Sequence, residues 1–430
     1  MIPVWRQEHN LERLLPSLRD TLQHVAGGVE IIVACGPENR HLEALTARHG
    51  SALVVAGGST YGEVLAEGLR HTRGDFVLTM DADFSHRPGY VTNMWANRDQ
   101  AEVLIGSRYI RGAYAEMSWA RRIPSRILNW LYRKVLLMPY RDLSSGFRMY
   151  RREVLEDIGL ASAKGLDVLP EMLAKAYCQG WRILEVPFWY RGARPWTRAR
   201  VVRLGVGYLA TLGKVFTLRN SVKAADYDHR AFDSWIPLQR YWQRRRFTII
   251  QEFVSESGSV LDVGCGTSRI IQTLPHVVGM DVAIRKLRWL RSPGRPLVQG
   301  TLTHLPFRDH AFDALVCSEV IEHIPREQVR IEELIRVLSP GGTLILGTPD
   351  YSRKRWRFLE WAYAKVFPGG YVLEHINRYT YSGLREELES MGLEILDCEY
   401  VGGSEMIFKV RVPYRAPQAE EFIAQRAHSS

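Results

Sequence analysis

Val260-Leu261-Asp262-Val263-Gly264-Cys265-Gly266-Thr267-Ser268 is an apolar run that passes straight into a glycine turn, and Val278-Gly279-Met280-Asp281 ends the next strand-like run on a carboxylate. Glycines at such a turn let a cofactor approach the backbone, while an acidic residue at the neighbouring strand end accepts hydrogen bonds from ribose hydroxyls. The combination predicts the nucleotide-binding crevice of a doubly wound α/β sheet, with Asp262, Gly264, Gly266 and Asp281 as cofactor-binding residues. Strands are expected at 259–263, 277–281, 314–317 and 343–347, with helical segments between them.

The same alternation occurs once before. Strand-like runs at 30–34, 53–56, 76–80 and 103–106 alternate with helical periodicity at 11–24, 61–70 and 122–136, and the pattern restarts near residue 251. A chain of 430 residues, 46% hydrophobic and 24% charged, also exceeds what one core usually serves. Two doubly wound α/β domains are therefore expected, at 1–200 and 246–412. A helical connector rich in basic and aromatic residues spans 201–245, and a frayed polar tail is expected at 413–430.

The five cysteines, Cys35, Cys178, Cys265, Cys317 and Cys398, are scattered and form no zinc-type spacing, which points to reduced thiols and a cytoplasmic protein. No run approaches the roughly 18 apolar residues that a membrane span needs, and no secretory signal follows Met1. A net charge of +10 calls for an anionic partner. The basic segments 121–134 and 191–203 are interleaved with Trp119, Trp130, Tyr132, Trp189 and Trp196, a mixture suited to peripheral attachment at a membrane surface. Nucleic acid rests on charge alone, and no nucleic-acid partner is expected.

In the first domain, Asp81-Ala82-Asp83 follows the strand at 76–80, so alternate side chains can project two carboxylates from one strand end. Such a pair suits Mg2+ or Mn2+ bridging to a nucleotide diphosphate. Taken alone, the pair is weak evidence, since such pairs are frequent in ordinary turns and that plainer reading outweighs a metal site. The longer run Gly74-Asp75-Phe76-Val77-Leu78-Thr79-Met80-Asp81-Ala82-Asp83-Phe84-Ser85-His86-Arg87-Pro88 is more specific. It is followed by Gly106-Ser107-Arg108-Tyr109, by Asp142-Leu143-Ser144-Ser145-Gly146-Phe147-Arg148-Met149-Tyr150-Arg151, and by Glu185-Val186-Pro187-Phe188 with Arg191.

This ordered set resembles the dolichol-phosphate mannose synthase branch of inverting family-two glycosyltransferases, and it implies a glycosyltransferase A-type fold. By that resemblance Asp81, Asp83 and Ser85 hold the metal and donor diphosphate, and Asp81, Asp83, Arg148 and Glu171 form the catalytic set. Arg108, Arg148 and Arg191 are phosphate-clamp candidates, since a guanidinium forks onto phosphate oxygens and keeps its charge. The implied partners are a nucleotide-sugar donor and a polyprenyl phosphate at the membrane surface. A phosphate monoester has a second pKa of about 6 and arrives ionised, so such a site needs cations more than a base. The chain departs from the family at Trp5-Arg6-Gln7 and Cys35-Gly36, where the family carries donor-binding residues.

In the second domain, Leu305-Pro306-Phe307-Arg308-Asp309, the run from Phe312 to His323, and Leu338-Ser339-Pro340-Gly341-Gly342-Thr343 follow the glycine turn in order. The set is similar to the class I methyltransferases, with a Rossmann-like fold and S-adenosylmethionine as cofactor. By that resemblance Asp281 holds the ribose, Gly264 and Gly266 line the methionine side, and 319–323 border the substrate mouth. Thr301 and Ser318 complete the cofactor set, although Thr301 departs from the family, standing where an acidic residue often meets the adenine amine, so weaker or backbone-mediated adenine recognition is expected. His323 and His375 are the substrate-binding candidates, with Glu374 and Arg378 beside them. His323 has an equally plain reading as a helix-start residue that supports the loop. Two functional readings follow: a bifunctional enzyme acting on lipid-linked sugar, or an active methyltransferase carried by a degenerate, membrane-docking glycosyltransferase-like domain.

Overall fold

A computed structural model describes residues 1–4, 8–23, 25, 27–159, 162, 164–192, 198–254, 257–274, 276–366 and 375–414. Trp5-Arg6-Gln7, Trp196, Glu374 and the tail from residue 415 lie outside the described residues. The chain divides into two compact units, Met1–Arg219 and Asn220–Ser430. The segment read as a connector is split between them: the helix Arg198–Arg219 belongs to the first, and the helices Tyr227–Phe232 and Pro237–Val254 to the second.

In the first unit β1 (Ile2–Val4), β2 (Ile32–Cys35) and β3 (Ala52–Val55) form a parallel sheet, while β4 (Phe76–Thr79), β5 (Val103–Ser107), β7 (Arg148–Arg151) and β8 (Ile183–Pro187) form another in the order β4-β7-β5-β8. The two sheets meet where Met1 donates to the Leu78 carbonyl at 2.8 Å and accepts the Met80 amide at 3.3 Å. β7 is antiparallel to both β4 and β5. Sequence periodicity did not foresee it, because a four-residue strand reading Arg-Met-Tyr-Arg carries no clear alternation. Its insertion matters for function, since it lays the loop 142–147 against the carboxyl end of β4. β6 (Tyr114–Glu116) pairs with β9 (Trp189–Arg191). Apolar cores cover both faces of the combined sheet, one around Val103, Tyr150 and Leu173 and the other around Leu14, Val33 and Phe147.

The second unit is a seven-stranded sheet of β10 (Val260–Val263), β11 (Val277–Asp281), β12 (Leu297–Gln299), β13 (Phe312–Ser318), β14 (Leu338–Pro349), β15 (Glu394–Val401) and β16 (Glu405–Arg411). Their order is β12-β11-β10-β13-β14-β16-β15, parallel except for β16, which is antiparallel to β14 and β15. The order reverses between β10 and β13. Ligands of such sheets bind in the crevice beyond the carboxyl ends of the strands at that reversal. The four strands read from the sequence are present; β12, β15 and β16 are additional.

Candidate active sites

The first site lies where β4 ends. Asp81 leaves the strand, and the turn to Asp83 and Ser85 holds Phe84 at φ +56°, a left-handed conformation that is costly for a bulky side chain. Asp83 Oδ1 accepts the Ser85 amide at 3.0 Å. The Ser85 hydroxyl is fully buried and has no partner among the described residues. The Asp81 amide donates to His86 Nδ1 at 3.0 Å, which puts the ring proton on Nε2, 4.0 Å from Asp81 Oδ2. Burial holds the imidazole below its ordinary range, so it stays neutral. Burial pushes the Asp81 carboxyl up, an effect that His86 opposes and Asp83 reinforces.

The loop ahead of β7 closes over Asp81. A Cβ on Gly146 would stand 3.0 Å from the Tyr61 hydroxyl and 3.3 Å from Asp81 Oδ1, so a larger residue would make these side chains give by a few tenths of an ångström. Arg108 is buried against Asp142, donating from Nε at 2.7 Å and from Nη2 at 2.6 Å, with a further bond from Nη2 to the Ser144 hydroxyl at 2.8 Å. Arg148 is fully buried on β7. Its Nη1 donates to the Leu169 carbonyl at 2.6 Å and the Tyr150 hydroxyl at 3.1 Å, and its Nη2 to the Leu143 carbonyl at 2.6 Å. Arg148 thus braces the loop that carries Gly146 from beneath.

Glu171 is buried at the start of the helix Val168–Cys178, where it accepts the Ser162 amide at 2.9 Å and pairs with Lys175 Nζ at 3.1 Å. Arg191 is exposed on β9, 3.4 Å from Glu116. The structure thus gathers Asp81, Asp83, Ser85 and Arg108, sets Arg148 behind them, and engages Glu171 and Arg191 elsewhere. Sequence reasoning missed His86, Arg121 and Tyr190 as site residues. Arg108 and Arg121 lie 5.3 and 5.2 Å from the Tyr190 ring, and both lend positive potential to Asp81. By sequence Arg121 belongs to the basic segment 121–134, and only the tertiary fold brings it to the carboxylates.

The second site is the glycine turn after β10. Gly264 and Gly266 have φ of +69° and +53°; a Cβ would stand 2.3 Å from Val320 Cγ2 at the first and 2.5 Å from Asp228 Oδ2 at the second. Asp281 ties the turn to β11, its Oδ2 accepting the Gly266 amide at 2.8 Å and its Oδ1 the Ala283 amide at 2.7 Å. Asp262 is buried beside it with Oδ2 unpartnered, and burial, with Asp281 second, pushes its carboxyl up to about 8. The Ser318 hydroxyl is also buried and unpartnered, whereas Thr301 is exposed and bonds Thr303 at 2.5 Å. Asp228 was not foreseen, because it comes from the short helix Tyr227–Phe232 rather than from a sheet motif. Its Oδ2 accepts the Thr267 amide at 3.1 Å and pairs with Lys286 Nζ at 3.0 Å.

Beyond β13, Glu319 adopts φ +60° and pairs with Arg246 at 3.3 Å, while the same guanidinium grips buried Glu405 at 2.6 and 2.7 Å. His323 and His375, both named from the sequence, come together with ring centroids 4.8 Å apart. Burial pushes the Glu322 carboxyl up to about 8 and His375 down to about 3.

Residues 1–159 match the family model described as Glycosyl transferase family 2, and residues 261–346 match the one described as Methyltransferase domain. Polyprenol monophosphomannose synthase of Mycolicibacterium smegmatis is 29% identical over 209 residues, covering 44% of this chain and 74% of that protein. Undecaprenyl-phosphate 4-deoxy-4-formamido-L-arabinose transferase of Pseudomonas aeruginosa is 31% identical over 163 residues, covering 36% of this chain and 47% of that protein. Probable tRNA methyltransferase 9B of Bos taurus is 32% identical over 126 residues, covering 27% of this chain and 28% of that protein. The chain thus spans less than half the length of the latter two. The family matches, on two α/β units with these strand orders, make the chain a fusion of a family-two glycosyltransferase domain with a methyltransferase domain.

Proposed function

We propose that the first unit transfers a sugar from a nucleotide-sugar to polyprenyl phosphate, and that the second methylates a related glycan or lipid acceptor with S-adenosylmethionine. The observation that carries the first half is the state of His86. Its Nδ1 lone pair is already taken by the Asp81 amide, so this imidazole is not free to deprotonate an acceptor. An acceptor phosphate needs no such base, because it attacks the anomeric carbon as an anion while the nucleoside diphosphate leaves.

Asp81, Asp83 and the orphaned Ser85 hydroxyl are all oxygen donors, a set that fits Mg2+ or Mn2+. Such an ion, when bound, offsets charge on the departing diphosphate. Arg108 and Arg121 supply fixed positive potential beside the carboxylates, so several anionic groups can gather there without repulsion. Arg108 is already forked onto Asp142, and its role in this reading is to hold that loop and lend charge.

In the second unit the glycine turn, Asp281 and the unpartnered Asp262 Oδ2 and Ser318 hydroxyl fit a cofactor bearing ribose and amino-acid groups. Peripheral membrane attachment is part of the proposal. The helix Trp119–Val135 exposes Trp119, Ile123, Ile127 and Trp130 along one stripe, flanked by Arg122, Arg126, Arg133 and Lys134, and it contains no acidic residue. Among the described residues no helix is long and apolar enough to cross a membrane. The same stripe also favours the second reading, a docking domain without transferase activity.

Incubation of the full chain with divalent metal, polyprenyl phosphate and a panel of labelled sugar nucleotides separates the two readings. Transfer to lipid supports the enzyme, and membrane binding without transfer from any donor supports the docking domain.

A further inference from the structure

We infer that Glu322, His323 and His375 form a binding centre for one divalent transition-metal ion of the zinc class. One ligand atom from each lies within 4.8 Å of the others, and Glu322 Oε1 stands 3.9 Å from His323 Nε2. Ligands of a tetrahedral zinc ion are about 3.3 Å apart, so side-chain shifts of about 1 Å close the set.

Two of the three donor atoms, Glu322 Oε1 and His375 Nε2, have no hydrogen-bond partner among the described residues, and both are held in position. Glu322 is fully buried, and its Oε2 accepts the Thr348 hydroxyl at 3.1 Å while Oε1 has no partner. The His375 side chain is 3% exposed. The Tyr351 hydroxyl donates to Glu360 Oε1 at 2.6 Å, so its oxygen accepts from His375 Nδ1 at 3.0 Å. That relay places the imidazole proton on Nδ1 and leaves Nε2 a lone pair without a partner. A carboxylate that fixes the tautomer of a ligating histidine through its far nitrogen is the usual outer shell of a metal centre. Here Glu360 does so through Tyr351.

The backbone keeps the two segments in register. The Ile376 and Asn377 amides donate to the Glu322 carbonyl at 2.9 and 3.0 Å, and Asn377 Nδ2 donates to the Ile321 carbonyl at 3.1 Å. The surroundings favour a cation as well, since among the described residues the carboxylates of Glu319, Glu322 and Glu405 outnumber the one guanidinium beside them, Arg246. Two imidazoles and one carboxylate select zinc-like ions over Mg2+, which takes oxygen ligands. Three protein ligands leave a fourth position for an oxygen ligand, water or an acceptor hydroxyl. The inference does not rest on the proposed sugar transfer or methyl transfer.

The test uses the full chain with Asp81→Asn and Asp83→Asn, which removes the oxygen-donor pair of the first unit. After chelator treatment the protein is titrated with Co2+, read by visible ligand-field absorption, and then with Zn2+ as competitor. One Co2+ per chain, displaced by one Zn2+, is expected, and both His375→Gln and His323→Asn should weaken binding at least tenfold. Absence of Co2+ absorption in the parent protein overturns the inference, as does an unchanged titration in the folded histidine variants. If His375→Gln loses its circular dichroism signal, the half-buried His323 carries the comparison.

Discussion

Arg108 and Asp142 form a buried bidentate ion pair, and the Arg108 amide adds a third bond to Asp142 Oδ2 at 2.9 Å. The pair fastens the end of β5 to the loop that closes on Asp81. Removing one partner strands a buried charge, which typically costs about 3–5 kcal/mol. Asp142→Asn should therefore lower the unfolding free energy of the first unit by that amount in a denaturant titration. A change below about 1 kcal/mol would show that the pair does not hold the loop.

Asp262 gives the second unit a pH dependence of defined sign. Its carboxyl titrates near 8 in the fold and at about 3.9 in an unfolded chain, so between these values the folded state keeps a proton that the unfolded chain has released. Linkage then makes stability fully present below about pH 4 and lost as pH rises to about 8. Asp262→Asn removes the titration. The variant's stability relative to wild type should rise across pH 4–8, by at most about 1.4 kcal/mol per pH unit. A difference that is flat with pH in denaturant titrations would contradict this.

The cofactor crevice is expected to take one S-adenosylmethionine per chain. Asp281→Ala frees the Gly266 and Ala283 amides and removes the proposed ribose acceptor, so calorimetry should show affinity reduced at least tenfold. Gly264→Ala forces a Cβ to 2.3 Å from Val320 at a positive φ, and should abolish binding or folding of the turn. Unchanged affinity in both variants would mean that the cofactor binds elsewhere.

Trp119→Glu with Trp130→Glu breaks the exposed apolar stripe without touching a buried residue. Flotation with anionic liposomes should fall in this variant and should fall for wild type as salt is raised. Equal flotation of variant and wild type would remove this helix from the membrane contact.

Much of the fold was legible because both sheets carry apolar runs that end in chemistry-bearing turns, Thr79 into Asp81 and Val263 into Gly264. Their strands were read to within two residues at most edges, although β14 runs several residues further at its start. β7, β12 and β16 were not legible, since strands that take their place from neighbours across the sheet need no periodicity of their own. Among site residues, Asp81, Asp83, Gly264, Gly266 and Asp281 follow from local motifs. Arg108 was visible as a residue but not as a partner of Asp142, because an ion pair across 34 positions is a property of the tertiary fold. Asp228 and Arg121 were hidden for the same reason. His323 and His375 were named separately, and only the fold brings them into one cluster with Glu322.

The central claim, two independent active sites in one chain, is tested most directly by sugar transfer to polyprenyl phosphate in two variants of the full chain. Asp83→Asn removes one of the two carboxylates proposed to hold the metal and should lose at least 99% of the transfer, whereas Asp281→Ala, in the other unit, should retain the wild-type rate. Full transfer by Asp83→Asn, or its loss in a folded Asp281→Ala protein, would contradict the account.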